Sequence, residues 1–498
     1  MTSLIFGIFL FIICLIGYFF AYWFSRQQKY TYAIATIILC GLLLRLYTGF
    51  DLYLHDWDEK YHALVAKNLI NHPFKPTLYD NPLLPYQLER WVENNVWLEK
   101  GPIPLWNCAV SLRLFGLNEV AVRIPAIVLS TIAILLTFLI GKLLFNRKVG
   151  LMASFLHSVN GLLIEVAGGR VSSDMVETTF IFFVELGVFI GVYAIIHRKL
   201  YLMSMLIGFI TGCSLLCKWS PGLIVIPVWL AGAYFSKKYT IKQLFLCIIF
   251  MSVSCGLTFS AWIIYILNTF PQEAKFVLRK FLFAYNKSFE GHEAPFYYYF
   301  DHILRMIFGE LVYIPLLLSL YFLFWKRRRW QLILISVWWL VPIVIFSFGA
   351  MKRQTYMLIS APAIFLIISF CWFYLKSVRE KVKFKWVVSI VLFLLIALPV
   401  RYCIERVKPF ERRDRNPDWA VKARSLRYKI PAGNNVVIFN VEKNIEIMFY
   451  NDCTAYQKLP SLDTLKQLQS QGCLVIVNDN GNLPSEYHAA GLAMKLGI

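Results

Sequence analysis

Long apolar runs recur along most of this sequence. Runs of roughly 18 or more apolar residues, enough for a helix to cross the hydrocarbon core of a bilayer, appear from the first residues to about residue 402. Of the 498 residues, 58% are hydrophobic and 16% are charged. A soluble protein carries charge on about a quarter of its residues. The sequence therefore predicts an all-α polytopic membrane protein.

The apolar runs predict about 12 to 13 transmembrane helices. The approximate spans are 3–25, 31–50, 120–144, 149–168, 174–196, 200–218, 220–236, 241–267, 310–325, 331–349, 354–375 and 384–402. The first run is too long for the core of a signal peptide and lacks a small-residue cleavage site. We therefore expect it to be retained as a membrane helix.

Every second link between the predicted spans contains a cluster of basic residues. The clusters are Arg26 and Lys29; Arg147 and Lys148; Arg198 and Lys199; Lys237, Lys238 and Lys242; Lys326, Arg327, Arg328 and Arg329; and Lys376, Arg379, Lys381, Lys383 and Lys385. By the positive-inside rule these links lie in the cytoplasm, and the other links and both termini lie outside. The net charge of +21 is thus interpreted as a topology signal, and nucleic acid is not an expected partner.

Two external segments are long enough to have structure of their own. Residues 51–119 contain nine acidic and six basic residues, and they include an apolar spacing that predicts an amphipathic helix at the membrane interface. Residues 403–498 contain two short apolar runs, 436–440 and 474–479, and a helical pattern at 461–472. The predicted domains are a transmembrane domain at 1–402, with 51–119 as its first external loop, and a small external α/β domain at 403–498.

Ionisable and polar side chains collect where the predicted spans meet the outer face. They are Asp58, Glu59, Glu99, Lys100, Arg170, Asp174, Lys218, His292, Lys352 and Tyr356. Each has a structural alternative. The aspartates could cap helices or interact with helix dipoles, and the lysines could anchor helix ends at the interface.

Taken together, these side chains indicate chemistry on a phosphate-activated donor. The carboxylates of Asp58, Glu59 and Asp174 could accept a proton from an attacking group. A cationic set could hold an anionic leaving group, above all a phosphate; its members are Lys100, Arg170, Lys218 and Lys352. Glu99 and His292 could ligate a divalent metal, although two ligands alone are a weak signal.

Seven short motifs occur in a characteristic order. They are DE at 58–59, EKGPIPLW at 99–106, LFGLNEVAVRIP at 114–125, GRVSSD at 169–174, LLCKWSPG at 215–222, GHEAPFYYY at 291–299 and MKRQTYMLISAP at 351–362. In these motifs the chain resembles the superfamily of protein O-mannosyltransferases and lipid A aminoarabinose transferases. These are integral membrane glycosyltransferases of the GT-C fold, and the ArnT-like members are the most similar. The likeness runs from about residue 31 to 402.

The resemblance implies an inverting transfer from a polyprenyl-phosphate-linked sugar, with an active site on the periplasmic side of the bacterial inner membrane. It also implies that Asp58 is the essential carboxylate and that Asp174 is a second essential aspartate. Lys100 would hold the donor phosphate, with Lys352 and Tyr356 as further phosphate-binding residues.

A divalent metal (Zn, Mg or Mn) near Glu99 and His292 is also implied by the resemblance. The sequence departs from the aminoarabinose transferases after the DE pair, where they usually have x-Arg-Tyr and this chain has Lys60, Tyr61 and His62. The missing arginine leaves the sugar and the acceptor open.

Three interpretations of function remain at this point. The first is transfer to lipid A or another lipid or glycan of the cell envelope. The second is protein O-mannosyltransferase-like transfer to Ser or Thr hydroxyls. The third, from another class, is a transporter or flippase for a lipid-linked sugar. Against the third stand the lack of an internal repeat in the sequence and the crowding of polar groups on one face.

Overall fold

The computed structural model describes residues 3–283, 293–325, 330–431, 433 and 435–497. The chain divides into two compact units, each built from two chain segments. The membrane unit consists of Met1–Gly49 and Ala126–Arg412, and the loop–tail unit consists of Phe50–Pro125 and Arg413–Ile498. Residues 51–119 and most of the predicted C-terminal domain therefore share one unit. The domain boundary predicted between residues 402 and 403 stays a prediction.

The secondary structure is mainly helical. The α-helices are α1 (Ser3–Arg26), α2 (Tyr30–Gly49), α3 (Asp58–Leu69), α4 (Pro102–Phe115), α5 (Glu119–Leu144), α6 (Arg147–Ser158), α7 (Gly161–Ala167), α8 (Met175–His197), α9 (Tyr201–Lys218), α10 (Val225–Ser236), α11 (Ile241–Thr269), α12 (Pro271–Phe283), α13 (Leu304–Phe308), α14 (Tyr313–Trp325), α15 (Trp330–Phe348), α16 (Ala361–Val378), α17 (Lys385–Val407), α18 (Asp418–Ser425), α19 (Asn444–Tyr450), α20 (Leu462–Ser470) and α21 (Ser485–Ala489). The strands are β1 (Val436–Phe439), β2 (Thr454–Ala455), β3 (Leu474–Asn478) and β4 (Ala493–Met494).

The helices confirm the prediction of a polytopic membrane protein. Within the described residues, nine helices are long and apolar enough to cross a membrane, and there are up to eleven spans if each of two bent helix pairs counts as one. One pair joins α6 to α7 at 56°, and the other joins Tyr299–Phe308 to Glu310–Phe324 at 112°. A shorter apolar helix, Ser220–Ser236, corresponds to the remaining predicted span. The twelve predicted apolar runs are thus all helical, but three of them are not single long helices.

Local sequence explains these three interruptions. Asn160 begins α7 by accepting a hydrogen bond from the Leu163 amide at 3.1 Å. Gly309, with a φ of 92°, separates the second bent pair, in a backbone conformation that glycine adopts without a steric penalty. Pro221 opens the 3-10 turn Ser220–Ile224 that precedes α10. Hydropathy does not reveal the break at Asn160, because apolar residues continue on both sides of it.

Small residues let helices of the membrane unit approach closely. A Cβ atom at Gly208 of α9 would lie 2.3 Å from the carbonyl oxygen of Met251 on α11. A Cβ atom at Gly141 of α5 would lie 2.6 Å from the Cα atom of Gly150 on α6. Close backbone contact of this kind is how helices pack in a bilayer, where apolar burial gives little driving force. Since α9 ends at Lys218, its packing also determines the place of that lysine.

The tail folds as a small parallel sheet with helices. Its strand order is β2-β1-β3-β4, and every neighbouring pair is parallel. The two strands predicted from sequence are β1 and β3, and the predicted helix at 461–472 is α20, followed by Gly472 with a φ of 87°. The prediction of a small α/β fold in the tail is confirmed. Strands β2 and β4 have only two residues each, too few to show a pattern.

Helix α3 is the amphipathic helix predicted in the first loop. It packs against α4 and α19 within the loop–tail unit. Leu64, Val65 and Leu69 are buried there. Full burial of such side chains stabilises a fold by about 1.5–3 kcal/mol each. This packing fixes the position of α3, whose first turn contains Asp58 and Glu59.

Candidate active site

The candidate residues fall into two groups, one in each unit. Asp58, Glu59, Glu99 and Lys100 belong to the loop–tail unit. The others in the described residues belong to the membrane unit, and they are Arg170, Asp174, Lys218, Lys352 and Tyr356. His292 lies outside the described residues. Each group is described within its own unit.

Asp58 is the first residue of α3 and is partly exposed. Its Oδ2 atom lies 4.0 Å from Nζ of Lys100, and the exposed fractions of the two side chains are 17% and 28%. The N-cap residue of α3 is Trp57, and no side-chain hydrogen bond caps this helix. Asp58 is therefore not the N-cap residue, so this part of the structural alternative does not apply to it.

Backbone strain precedes Asp58. Trp57 has a φ of 73° and a ψ of −135°, although it is not glycine, and its side chain is 70% exposed. A bulky residue at positive φ is uncommon, and such strain persists only where the surroundings impose it. Residues of this kind are frequent at active sites.

Glu59 has a different environment from Asp58. Its side chain is 2% exposed, and its Oε1 and Oε2 atoms accept hydrogen bonds from Arg123 at 2.6 and 2.9 Å. The His55 amide donates to the same carboxylate at 2.6 Å, and His55 Nδ1 lies 2.8 Å from Oε2. Burial alone would raise the pKa of Glu59, but the charges of Arg123 and His55 lower it from 4.5 to about 2. Glu59 is thus a buried ion-pair partner and a weak base.

The support of Glu59 extends to the tail. Asp51 Oδ2 lies 3.2 Å from His55 Nε2, and Asp51 Oδ1 lies 3.2 Å from Arg415 Nη1. The backbone carbonyl of Asp51 accepts a hydrogen bond from Arg123. Sequence reasoning missed Arg123, His55 and Asp51 as parts of the site. Arg123 had a usable signal, because an arginine at the start of an apolar span needs a buried partner.

In the membrane unit, Lys218 is the centre of the second group. It is the last residue of α9 and forms an ion pair with Glu177 of α8. Its Nζ atom also lies 4.6 Å from the ring centre of Tyr356 and 5.9 Å from that of Phe180. The sequence predicted Lys218 and Tyr356, and the structure brings them together. Glu177 was missed because it is one acidic residue inside an apolar helix.

Asp174 caps a helix, as the structural interpretation of the aspartates allows. It is the N-cap residue of α8, and its Oδ1 atom accepts a hydrogen bond from the Val176 amide at 3.1 Å. The adjacent Ser173 hydroxyl lies 3.3 Å from that of Thr355. The GRVSSD and MKRQTY motifs therefore meet within the membrane unit. Any catalytic role of Asp174 stays a prediction beside its capping role.

Lys352 and Arg170 have separate surroundings. Lys352 is buried, and its Nζ atom donates to the carbonyl of Gly349 at 2.7 Å. The Arg170 guanidinium lies 5.9 Å from the ring centre of Tyr47 and donates to the carbonyl of Val407 at 3.4 Å. Both side chains donate to backbone carbonyls of the membrane unit.

The predicted metal site stays a prediction. Glu99 is buried in the loop–tail unit. In the part of the chain that the structure describes, no three His, Cys, Asp or Glu side chains group closely enough to hold a metal ion. The backbone of Glu293, the residue after His292, pairs with Met351 in the membrane unit.

Comparisons with known proteins identify the fold. A family model described as dolichyl-phosphate-mannose-protein mannosyltransferase matches residues 99–265. The crystal structure of ArnT from Cupriavidus metallidurans bound to undecaprenyl phosphate is similar with a TM-score of 0.65 and 12% identity, over 93% of this chain and 96% of that chain. This chain is a GT-C fold protein.

Two curated aminoarabinose transferases are also similar to this GT-C protein in sequence. The undecaprenyl phosphate-alpha-4-amino-4-deoxy-L-arabinose arabinosyl transferase 2 of Proteus mirabilis is 24% identical over 313 residues, which is 60% of this chain and 52% of the relative. Transferase 1 of Pseudomonas fluorescens is 23% identical, over 53% of this chain and 46% of the relative. The matches span about half the length of these relatives. The resemblance to the mannosyltransferase and ArnT-like superfamily is confirmed.

Proposed function

We propose that this GT-C protein is an inverting glycosyltransferase. It moves a sugar from a polyprenyl-phosphate-linked donor to an acceptor on the periplasmic side of the bacterial inner membrane. The proposed acceptor is lipid A or another lipid or glycan of the cell envelope. The names of the aminoarabinose transferases that the chain resembles support the donor class, since they print an undecaprenyl-phosphate-linked sugar. The observation that carries the proposal is the partly exposed Asp58 carboxylate with the Lys100 amine 4.0 Å away.

Asp58 is the proposed general base. It accepts the proton of an acceptor hydroxyl, whose oxygen then bonds to the anomeric carbon of the sugar. The bond from that carbon to the phosphate oxygen breaks, and the polyprenyl phosphate leaves with the electron pair. A single displacement inverts the anomeric carbon. Glu59 supports the reaction indirectly, because its ion pair with Arg123 anchors the helix turn that carries Asp58.

Basic groups stabilise the leaving phosphate. Lys100 is the proposed phosphate contact in the loop–tail unit. Lys218, Lys352 and Arg170 stay predicted phosphate-binding residues of the membrane unit. A lysine that is already desolvated and ion-paired, as Lys218 is with Glu177, forms charge-assisted hydrogen bonds without a large cost in side-chain ordering. Tyr356 would orient Lys218 through its ring.

A divalent cation held by Glu99 and His292 is part of the proposal. It would add positive charge near the leaving phosphate. No step above depends on it, since the two residues alone do not complete a coordination sphere. If the cation contributes, EDTA will lower transfer and added Mg²⁺, Mn²⁺ or Zn²⁺ will restore it. Unchanged transfer in EDTA would remove the metal from the proposal.

A second acceptor class has support from one observation. The family model that matches residues 99–265 is described as a dolichyl-phosphate-mannose-protein mannosyltransferase. Transfer to a Ser or Thr hydroxyl of a protein uses the same base and the same leaving group. Identification of the labelled product as lipid or protein separates the two acceptors.

The deciding experiment is transfer of labelled sugar from a polyprenyl-phosphate-sugar pool to membrane acceptors. Asp58→Asn should lower the rate by about 10²- to 10⁴-fold, the usual contribution of a general base. Asp80→Asn is the matched control, because Asp80 is an exposed aspartate on the same loop. Full activity in a well-folded Asp58→Asn variant would contradict the role of Asp58.

A further inference from the structure

Four charged side chains of the loop–tail unit form a closed ring. Nζ of Lys60 lies 3.4 Å from Asp56 Oδ1 and 3.4 Å from Glu446 Oε1. Nζ of Lys443 lies 3.1 Å from the same Asp56 oxygen and 3.6 Å from the same Glu446 oxygen. Positive and negative charges alternate around the ring, and each member makes two contacts. Such a network holds geometry better than an isolated surface pair.

The ring joins two distant parts of the chain on both sides of Asp58. Asp56 and Lys60 lie two residues before and two residues after Asp58 in the sequence. Lys443 and Glu446 come from the tail, where Lys443 is the N-cap residue of α19 and Glu446 lies in its first turn. The tail therefore holds the backbone that carries Asp58 from both directions.

The backbone between the two loop residues of the ring is strained. Trp57 lies between Asp56 and Asp58 and has a φ of 73°. Its side chain is 70% exposed, so packing of the indole does little to impose that conformation. The ring supplies a constraint that the strained turn requires.

Burial makes the tail side of the ring sensitive to change. The Glu446 side chain is 0% exposed, and its Oε2 atom has no hydrogen-bond partner among the described residues. Loss of the charges that face a buried carboxylate leaves it uncompensated. The C-terminal end of α3 is also bonded to the tail, because Lys67 donates hydrogen bonds to the carbonyls of Met448 and Asn451 at 2.8 and 3.0 Å.

We propose that Lys443 and Glu446 are positioning residues that set the orientation of the Asp58 carboxylate. The proposal rests on the proposed function of Asp58 and adds a role for the tail. In this role the tail aligns the base with the attacking hydroxyl and does not need to contact the acceptor. Small misplacements of a catalytic group have large effects on rate, which is why a distant ion pair can matter.

The test compares Glu446→Gln and Lys443→Gln with Lys458→Gln. Lys458 forms another ion pair between tail and loop, with Glu93 at 2.7 Å, and is the matched control. The ring variants should lower kcat by about tenfold or more, while KM for the donor changes by less than about twofold. Glu446→Asp, which keeps the charge, should recover part of the loss. Lys458→Gln should behave as wild type.

Hydrogen exchange of the peptide around residues 55–61 gives a readout that does not need activity. Exchange should be faster in the ring variants than in wild type or Lys458→Gln. Asp56→Asn tests the same ring at a side chain that is 63% exposed, so it is the variant most certain to fold. Unchanged kcat and unchanged exchange in Asp56→Asn and Lys443→Gln would overturn the proposal.

The two proposals can fail separately. If wild type transfers no sugar, the proposed function fails and the ring has no catalytic meaning, whatever the exchange data show. If wild type is active and the ring variants raise KM without lowering kcat, the tail contacts substrate and the positioning role is wrong.

Discussion

At the scale of single residues, two neighbouring carboxylates have different chemistry. Asp58 is partly exposed beside Lys100, whereas Glu59 is buried and fully engaged by Arg123 and His55. A carboxylate with both oxygens in charge-assisted hydrogen bonds is a poor proton acceptor. The DE pair thus combines one candidate base with one structural anchor.

The ion pair between Glu59 and Arg123 should make an acid-sensitive contribution to the stability of the fold. The pKa of Glu59 is about 2 in the folded protein, below its ordinary value of 4.5. Its ion pair therefore stabilises the fold above about pH 4.5, and this contribution, of about 3 kcal/mol, is lost as the pH falls toward about 2. Glu59→Gln should lower the thermal unfolding temperature at pH 7, since Arg123 loses its partner, at a cost of about 3–5 kcal/mol.

Thermal unfolding followed by tryptophan fluorescence in detergent measures this effect. Between about pH 4.5 and 2, the Glu59→Gln variant should also lose less stability than wild type. Glu89→Gln is the control, because Glu89 is exposed on the same loop. Equal unfolding temperatures for the two variants at pH 7 would show that the Glu59 ion pair does not anchor the loop–tail unit.

Lys218 gives a second prediction at this scale. Lys218→Gln removes the positive charge between Glu177 and Tyr356. If Lys218 holds the donor phosphate as proposed, affinity for a polyprenyl phosphate should fall by about 10-fold or more, because a charge-assisted hydrogen bond to phosphate contributes about 1.5–3 kcal/mol. Titration of the lipid phosphate in detergent measures it. Lys148→Gln, at an exposed lysine opening α6, should bind as wild type, and equal binding by both variants would exclude Lys218 from the phosphate site.

At the scale of elements, several of the candidate residues lie at helix ends. Asp58 begins α3, Asp174 caps α8 and Lys218 ends α9. A helix end presents side chains at a defined place, and its unsatisfied backbone groups favour polar residues there. The polar residues at span ends could therefore be predicted from sequence. Their partners on other elements could not, because hydropathy carries no information about which helix packs against which.

Substitution of Asp174 separates capping from catalysis. Ser is also a good N-cap residue, so Asp174→Ser should keep the stability of wild type, whereas Asp174→Ala should lose about 1 kcal/mol. If the carboxylate takes part in transfer, both variants will lose activity. Sugar transfer and thermal unfolding measured on the same samples decide this. An active Asp174→Ser variant would assign Asp174 to capping alone.

At the scale of the whole molecule, charge is distributed by segment. Basic clusters lie in every second link between the spans. The acidic first loop instead meets basic residues of the tail within the loop–tail unit. The ion pairs are Asp51 with Arg415, Asp56 with Lys443, Glu93 with Lys458 and Glu119 with Arg424. The acidity of the loop thus has a structural reason besides catalysis.

The basic clusters predict the orientation of the chain. Green fluorescent protein fused after Lys238 should fluoresce, because that link is expected in the cytoplasm. Alkaline phosphatase fused after Pro221, or at the C-terminus, should be active because these positions are expected in the periplasm. The opposite pattern of reporter activity would invert the topology and move the proposed site to the cytoplasmic face.

The sequence alone determined the class of the protein and the positions of its polar helix ends. Twelve apolar runs, the alternating basic clusters and the motif order depend only on local composition, and each run is helical in the structure. The break at Asn160 was missed, because apolar residues continue across it. The helix Tyr299–Phe308 before Gly309 was not predicted, because Asp301, His302 and Arg305 interrupt its apolar residues.

Only the tertiary structure decided how the polar residues are partnered. Arg123 forms an ion pair with Glu59, and Glu177 forms one with Lys218. The tail residues Lys443 and Glu446 form a ring of ion pairs with the two residues that flank Asp58 in the sequence, Asp56 and Lys60. These contacts join residues that are tens to hundreds of positions apart. Ion pairs and hydrogen bonds act over a few ångströms in space, and a single sequence does not record which distant side chains the packing of helices and sheet brings within that range.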